Sequence, residues 1–281
     1  EDNLEPAIDA LNTFANQLIF QVNRLHSQGQ GLHGFSSVAG AYSIADTTAN
    51  LNSGAANLPH EIENGSFIIN VTHKDTGQRV SYQINVDGDA MSLDDLINEI
   101  NTVVGVSNVT AGINAESQLT MVADAGYEIS FSEDSSGALA ALGVNTFFTG
   151  RGASSIAVRD ELLDDPSMLA VGLNHVAGSN DTAIAIANLQ DAGLDDLGGR
   201  SLREFWQHSV NELAVKTGSA HAAVESAALV RESLSSQIQA VSGVSLDEES
   251  INLLQFQRQF QAASRYIAVI DESLQTLLGL V

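Results

Sequence analysis

The sequence contains no cysteine. That excludes disulfides and thiolate metal sites and leaves the chain indifferent to the redox state of its compartment. Aromatic residues are also scarce, at 5% of the chain against a hydrophobic total of 44%, so Ala, Val, Ile and Leu must do most of the packing, as they do in helical bundles. Positive charge is the third shortage. Lys and Arg number 11 against 35 Asp and Glu, a net charge of −24. Nucleic acid and anionic membrane both require basic patches, so neither is an expected partner. No apolar run approaches the roughly 20 residues needed to span a bilayer, and the first residues show neither a basic segment nor a signal-peptide apolar core. The chain opens on Glu1, so an export signal upstream of it is not visible.

Signs of catalysis are equally sparse. The seven histidines, His26, His33, His60, His73, His175, His208 and His221, are scattered, and none forms an H-E-x-x-H pair. His26 and His33 flank the Gly29–Gly34 loop, where a solvated or capping role is expected of both. Neither a nucleophile-elbow motif nor a thiol is present. Asp164-Asp165 and Asp195-Asp196 lack the spaced oxygen ligands of a calcium loop and read as turn residues. No enzyme activity, metal or cofactor is expected.

What the chain does have is helical periodicity at its two ends. Ile8, Leu11, Ala15, Leu18, Val22 and Leu25 alternate by threes and fours, predicting a helix over residues 4–28 that ends at Gly29. Ser201 to Glu204 form a capping box before a helix over 202–241, with a seam of Trp206, Val210, Leu213, Ala220, Val224, Ala227, Leu234, Ile238 and Val241. Ser245 and Glu248 form another before the last helix. There Leu246, Leu253, Phe256, Phe260, Ala263, Ile267, Ile270, Leu274, Leu277 and Val281 make a heptad seam broken in register only by Glu249. Such a stripe either closes a bundle or faces another chain.

Between these ends the period changes to two. Residues 67–72 and 80–86 read as strands around Asp75-Thr76-Gly77, Ser92 caps a short helix over 93–104, and shorter strands follow near 106–113, 118–123 and 128–132. Ala140 to Gly150 then reads as a helix end, a glycine exit and an extended aromatic pair, which returns the chain to its parent domain. A short helix is predicted over 182–190.

Two separated stretches carry a family resemblance. The run from Val244 through Gln261-Ala262-Ala263 to Leu274 resembles the C-terminal signature of flagellar axial proteins. Leu142-Gly143-Val144-Asn145-Thr146-Phe147-Phe148-Thr149-Gly150, followed by Ile156-Ala157-Val158 and Asp165-Pro166, resembles the hook–filament junction proteins, the hook-associated protein 1 family. Residues 53–150, with Leu96 to Asn101, resemble the hook-IN module of that group.

The resemblance implies a mixed fold: an elongated α-helical bundle or coiled-coil domain of discontinuous segments, carrying an inserted α+β domain of hook-IN type. The expected boundaries are 1–45 and 156–243 for the helical domain, 46–155 for the insert and 244–281 for a C-terminal assembly helix. It further implies a non-enzymatic adaptor outside the cell on the bacterial flagellum, exported by the type III route. Its implied partners are its own kind in a ring, the hook protein, the second hook-associated protein, and an export chaperone at the C-terminal helix. Flagellin or the filament cap is the alternative, and an enzyme carried in the insert a remoter one. The family's N-terminal segment, which pairs with the terminal helix, is expected to be missing here, so the seam is expected to be unsatisfied within the chain and to be disordered, fold back or find another molecule.

Overall fold

The computed structural model describes residues 4–105, 108–173, 176, 178–243 and 245–278. Val106, His175, Val244 and Val281, to which the sequence assigned a strand start, a scattered histidine, a signature residue and the seam's end, lie outside the described residues. The chain divides into two compact units, residues 1–214 and 215–281, each taken here by itself.

Helix α1 (Glu5–Ser27) opens the first unit with Pro6 in its first turn, where a missing N–H costs nothing. Strand β1 (Ser37–Ala39) follows the glycine loop, then β2 (Gly65–His73) and β3 (Arg79–Val86) form a hairpin. Helix α2 (Leu93–Ile100) starts at a full capping box: Asp95 N–H donates to Ser92 Oγ, and the Asp95 carboxylate accepts from Ser92 N–H. The predicted helix to Val104 is regular only to Ile100 and widens to a π-turn over Asn101–Gly105. Asn101 leaves the regular helix because its side chain pairs with the backbone of Ala111, donating to its carbonyl at 3.0 Å and accepting from its N–H at 2.8 Å.

Strands β4 (Val109–Ile113), β5 (Leu119–Ala123) and β6 (Tyr127–Ser132) and helix α3 (Ala138–Leu142) complete the middle of the unit. Two antiparallel sheets result, ordered β3-β2-β6 and β1-β5-β4. Alternation decides which face is buried: Phe67, Ile69 and Val71 of β2, Ile84 and Val86 of β3, and Ile129 and Phe131 of β6 join Leu93, Leu96 and Ile100 of α2 in one core. That core begins at Val38 and ends at Val144. Buried Asn70 on β2 is satisfied from both sides, donating to Ser132 Oγ at 3.0 Å and accepting from Ser81 Oγ at 2.6 Å. Leaving such a group unpaired costs about 1–3 kcal/mol.

Helix α3 ends at Gly143 with φ +76°, the left-handed cap that glycine reaches without penalty. A Cβ there would lie 2.5 Å from Ala41 N. Asn145 also has positive φ, and its amide donates to Ser27 O at 2.9 Å and Gly29 O at 3.3 Å, capping the end of α1. Asn23 in the preceding turn accepts from Phe147 N and Phe148 N at 3.0 and 2.8 Å and donates to Phe148 O at 2.9 Å. One helical side chain thus stands in for a strand along the aromatic pair.

The return segment continues through β7 (Phe148–Thr149), β8 (Ala157–Val158) and α4 (Asp160–Asp164). Arg159, buried between them, donates to Gly143 O at 2.6 Å, to Ala39 O at 3.2 Å, and twice to the Glu161 carboxylate at 3.0 and 2.7 Å. Helix α5 (Asp181–Asn188), β9 (Gly193–Leu194) and β10 (Arg200–Ser201) lead into α6 (Leu202–Ser242). Both halves of the Ser201 capping box are made: Glu204 N–H donates to Ser201 Oγ at 3.2 Å and Ser201 N–H to the Glu204 carboxylate at 3.0 Å. Leu194, Leu197 and Leu202 form a second, small core with Phe14 and Leu18 of α1 and Phe205 of α6.

The second unit holds the remainder of α6 and α7 (Leu246–Leu278), with Ser245 Oγ accepting from Glu248 N–H at 3.3 Å. The fold is therefore mixed helix and sheet, with two long helices at the C-terminal end.

Candidate assembly surface

Helix α7 carries nine of the predicted seam residues within the described chain, and the 3.5-residue repeat sets Leu246, Leu253, Phe256, Phe260, Ala263, Ile267, Ile270, Leu274 and Leu277 along one side of it. All nine are exposed; the large ones range from 42% at Ile270 to 84% at Leu246. From Thr217 onward every residue whose burial is described is exposed. The coiled-coil expectation is thus not met within one chain among the described residues: the seams of α6 and α7 are laid out but not covered.

Heptad counting did not single out Ile251, Leu254, Tyr266 and Val269, which are also exposed on α7. They widen its apolar surface beyond a two-helix stripe. Their signal lay in the residue types themselves, hidden because they fall outside a strict repeat.

The first unit carries a smaller patch of the same kind. Phe14 of α1 meets Trp206 of α6 with ring centroids 5.4 Å apart. Farther along the two helices, Leu4, Ile8 and Leu11, and Val210 and Leu213, are left exposed. The buried face of α1 is instead Ala15, Ile19, Val22, Asn23 and His26, so Ile8 and Leu11 of the predicted seam stand outside it.

His26 corrects the expectation of a solvated or capping histidine. It is 1% exposed, its Nδ1 lies 2.8 Å from Asn145 O, and its Nε2 accepts from Ala170 N–H at 3.1 Å. With Nε2 occupied as acceptor, the proton sits on Nδ1 and the ring is neutral. Burial lowers its pKa, and the nearby Arg159 charge adds to this against the pull of the Asn145 carbonyl. His60, stacked on Phe20 at 4.2 Å, is lowered to about 4 by burial. Its Nε2 is buried without a hydrogen-bond partner. His26 thereby ties the end of α1 to the return segment at residues 145 and 170. Asp165 caps a short turn by accepting from Ser167 N–H at 3.0 Å, and Asp195 is the first residue of another, Asp195–Leu197, whose start has no side-chain cap. Among the described residues no group of three or more His, Asp or Glu is placed to hold a metal ion, and no helix is long and apolar enough to cross a membrane.

The family profile described as the flagellar basal body rod FlgEFG protein C-terminal matches residues 236–280, a span that contains α7. Flagellar hook-associated protein 1 of Bacillus subtilis (strain 168) is 28% identical over 130 residues, covering 45% of this chain and 25% of that protein. Flagellar hook-associated protein 1 of Escherichia coli (strain K12) is 28% identical over 140 residues, covering 49% and 26%. The chain therefore matches about a quarter of the length of these curated relatives. Among solved structures, the D2–D3 domains of the flagellar cap protein FliD from Serratia marcescens align with a TM-score of 0.29 and 19% identity, over 46% of this chain and 62% of that one. FliD (HAP2) from Pseudomonas aeruginosa PAO1 aligns with a TM-score of 0.22 and 24% identity, over 39% and 44%. The matched family profile and the curated relatives are structural components of the flagellum and not enzymes.

Proposed function

We propose that this chain is a structural subunit joining hook to filament in the bacterial flagellum, and that it assembles through the apolar seam of α7. The observation that carries the reading is the coincidence of two facts. Nine seam residues stand exposed on one helix, and that helix lies in the span matched by the flagellar rod C-terminal profile. An exposed apolar surface of this length is a binding surface, because water alone leaves it unstable against association. In this reading the occupants are neighbouring copies in a ring, the hook protein and the second hook-associated protein, and an export chaperone covers the helix before assembly outside the cell. Residues 46–155 are read as the inserted packing module of hook-IN type, joined in its sheet by β1 of the 1–45 segment; 156–243 is the second helical segment, and 244–281, which holds α7, is the assembly segment.

The test is sedimentation of the full chain beside one truncated before Ser245, with helicity followed on addition of an isolated flagellar chaperone. Self-association, or a gain of helix, in the full chain alone supports the assembly role of α7. Identical inert monomers in both cases overturn it.

A further inference from the structure

The outer edge of β3 is an unprotected strand edge. β2 pairs with β3 on one side and β6 on the other, and the far side of β6 is closed by Phe35, which exchanges backbone hydrogen bonds with Ile129 at 2.7 and 2.8 Å. No such cover exists for β3 among the described residues. His73 N–H donates to Gln78 O at 2.8 Å, and from that bonded pair the antiparallel ladder alternates. Val80, Tyr82, Ile84 and Val86 therefore turn their backbone groups toward β2, while Arg79, Ser81, Gln83 and Asn85 turn theirs outward, and all four of these are exposed. The usual protections of an edge are short length, proline, a bulge or central charge. Over its eight residues β3 has no proline and pairs without a bulge, and its only charge is at Arg79.

The strand is also self-complementary. From Arg79 to Asp87 it reads basic, Val, Ser, Tyr, Gln, Ile, Asn, Val, acidic, which is symmetric about Gln83. We infer that β3 pairs antiparallel with β3 of a second copy of this chain about a two-fold axis at Gln83, making one six-stranded sheet. The parity of the ladder permits this register, since the outward-facing Gln83 meets its own counterpart and Ser81 meets Asn85. On the core face Val80 lies opposite Val86 and Tyr82 opposite Ile84, which covers the 46% exposed Val80. At each end Arg79 lies opposite Asp87, the residue just past the strand, whose carboxylate already accepts from Asp89 N–H at 3.1 Å and from the Asn64 amide at 3.4 Å. Arg79 already stands in a cross-strand row with Thr72 and Glu128, and the second copy's carboxylate extends that row. This contact is independent of α7 and of the role proposed for it.

The absence of native cysteine makes the register directly testable in the full chain. Opposed residues of a bonded antiparallel pair have Cα atoms about 5.5 Å apart, within disulfide range. Gln83→Cys should oxidise to a covalent dimer. Ser81→Cys alone should not, because its own counterpart lies four residues along the ladder, roughly 13 Å away. Ser81→Cys mixed with Asn85→Cys should give the mixed dimer. Arg79→Asp should weaken the dimer roughly tenfold by placing two carboxylates together at each end. Adding Asp87→Arg should restore it, with circular dichroism verifying the fold. Gln83→Pro, tolerated where the N–H faces outward, should abolish pairing without unfolding the monomer. Oxidation of Ser81→Cys as fast as Gln83→Cys, or no cross-link from Gln83→Cys, overturns the inference.

Discussion

His26 and Asn145 hold each other from both directions: the imidazole Nδ1 donates to Asn145 O at 2.8 Å, and the Asn145 amide donates back to His26 O at 3.4 Å and to the adjoining Ser27 O at 2.9 Å. Replacing Asn145 separates its two contributions. Asn145→Gly keeps the positive φ and loses the side-chain bonds, while Asn145→Ala loses the bonds and adds left-handed strain of roughly 1–2 kcal/mol. Chemical denaturation should therefore find Ala the more damaging of the two. Equal losses would mean that the backbone conformation is not held as described.

Acid should weaken the first unit. His60 titrates at about 4 in the fold against 6.5 unfolded, so between those values the unfolded chain binds a proton that the folded chain does not. The stability it contributes is complete above about pH 6.5 and is lost as pH falls toward 4. His26, also lowered, acts in the same direction. His60→Phe keeps the stack on Phe20 and removes both the titrating group and the unpaired Nε2. It should match or exceed the parent in urea midpoint at pH 5, with the gap between the two pH dependences closing above pH 7.

Position should outweigh residue type for phenylalanine. Phe67→Ala empties a fully buried site in the sheet core and should cost about 3–5 kcal/mol. Phe260→Ala on α7 removes a side chain that is 75% exposed and should change single-chain stability by less than about 0.5 kcal/mol. If α7 is the assembly element, the second variant alone should lose self-association in sedimentation.

Gly143→Ala should prevent the return segment from closing. The added methyl meets the backbone of Ala41 as well as a φ of +76°, so the expected loss is several kcal/mol, more than the left-handed strain alone. Thermal unfolding read by near-ultraviolet circular dichroism would detect it.

Periodicity made much of this legible. The helix predicted over 202–241 spans Leu202–Ser242, and the strands predicted at 67–72 and 80–86 span Gly65–His73 and Arg79–Val86. Long regular elements repeat their burial pattern often enough to be counted. The two-residue strands β7 to β10 do not, and β1 depends on β5, some eighty residues away, for its existence. The importance of His26 was invisible for the same reason, since its partners lie 119 and 144 positions on. The register of the α7 stripe can be counted from sequence because register is local; its occupant cannot, because nothing among the described residues covers it.

The two bonds of His26 also set an order of events. Helix α1 is the first described element of this sequence, yet the imidazole bonds at its last turn form only when residue 145 has returned from the sheets and residue 170 has followed it. Most of the intervening residues belong to a unit with its own core, so folding that unit first shortens the loop to be closed from over a hundred residues to a near-contact. The ring of His26 should therefore be among the last groups to reach its native environment, which makes its imidazole resonance a clock for the end of folding rather than its start.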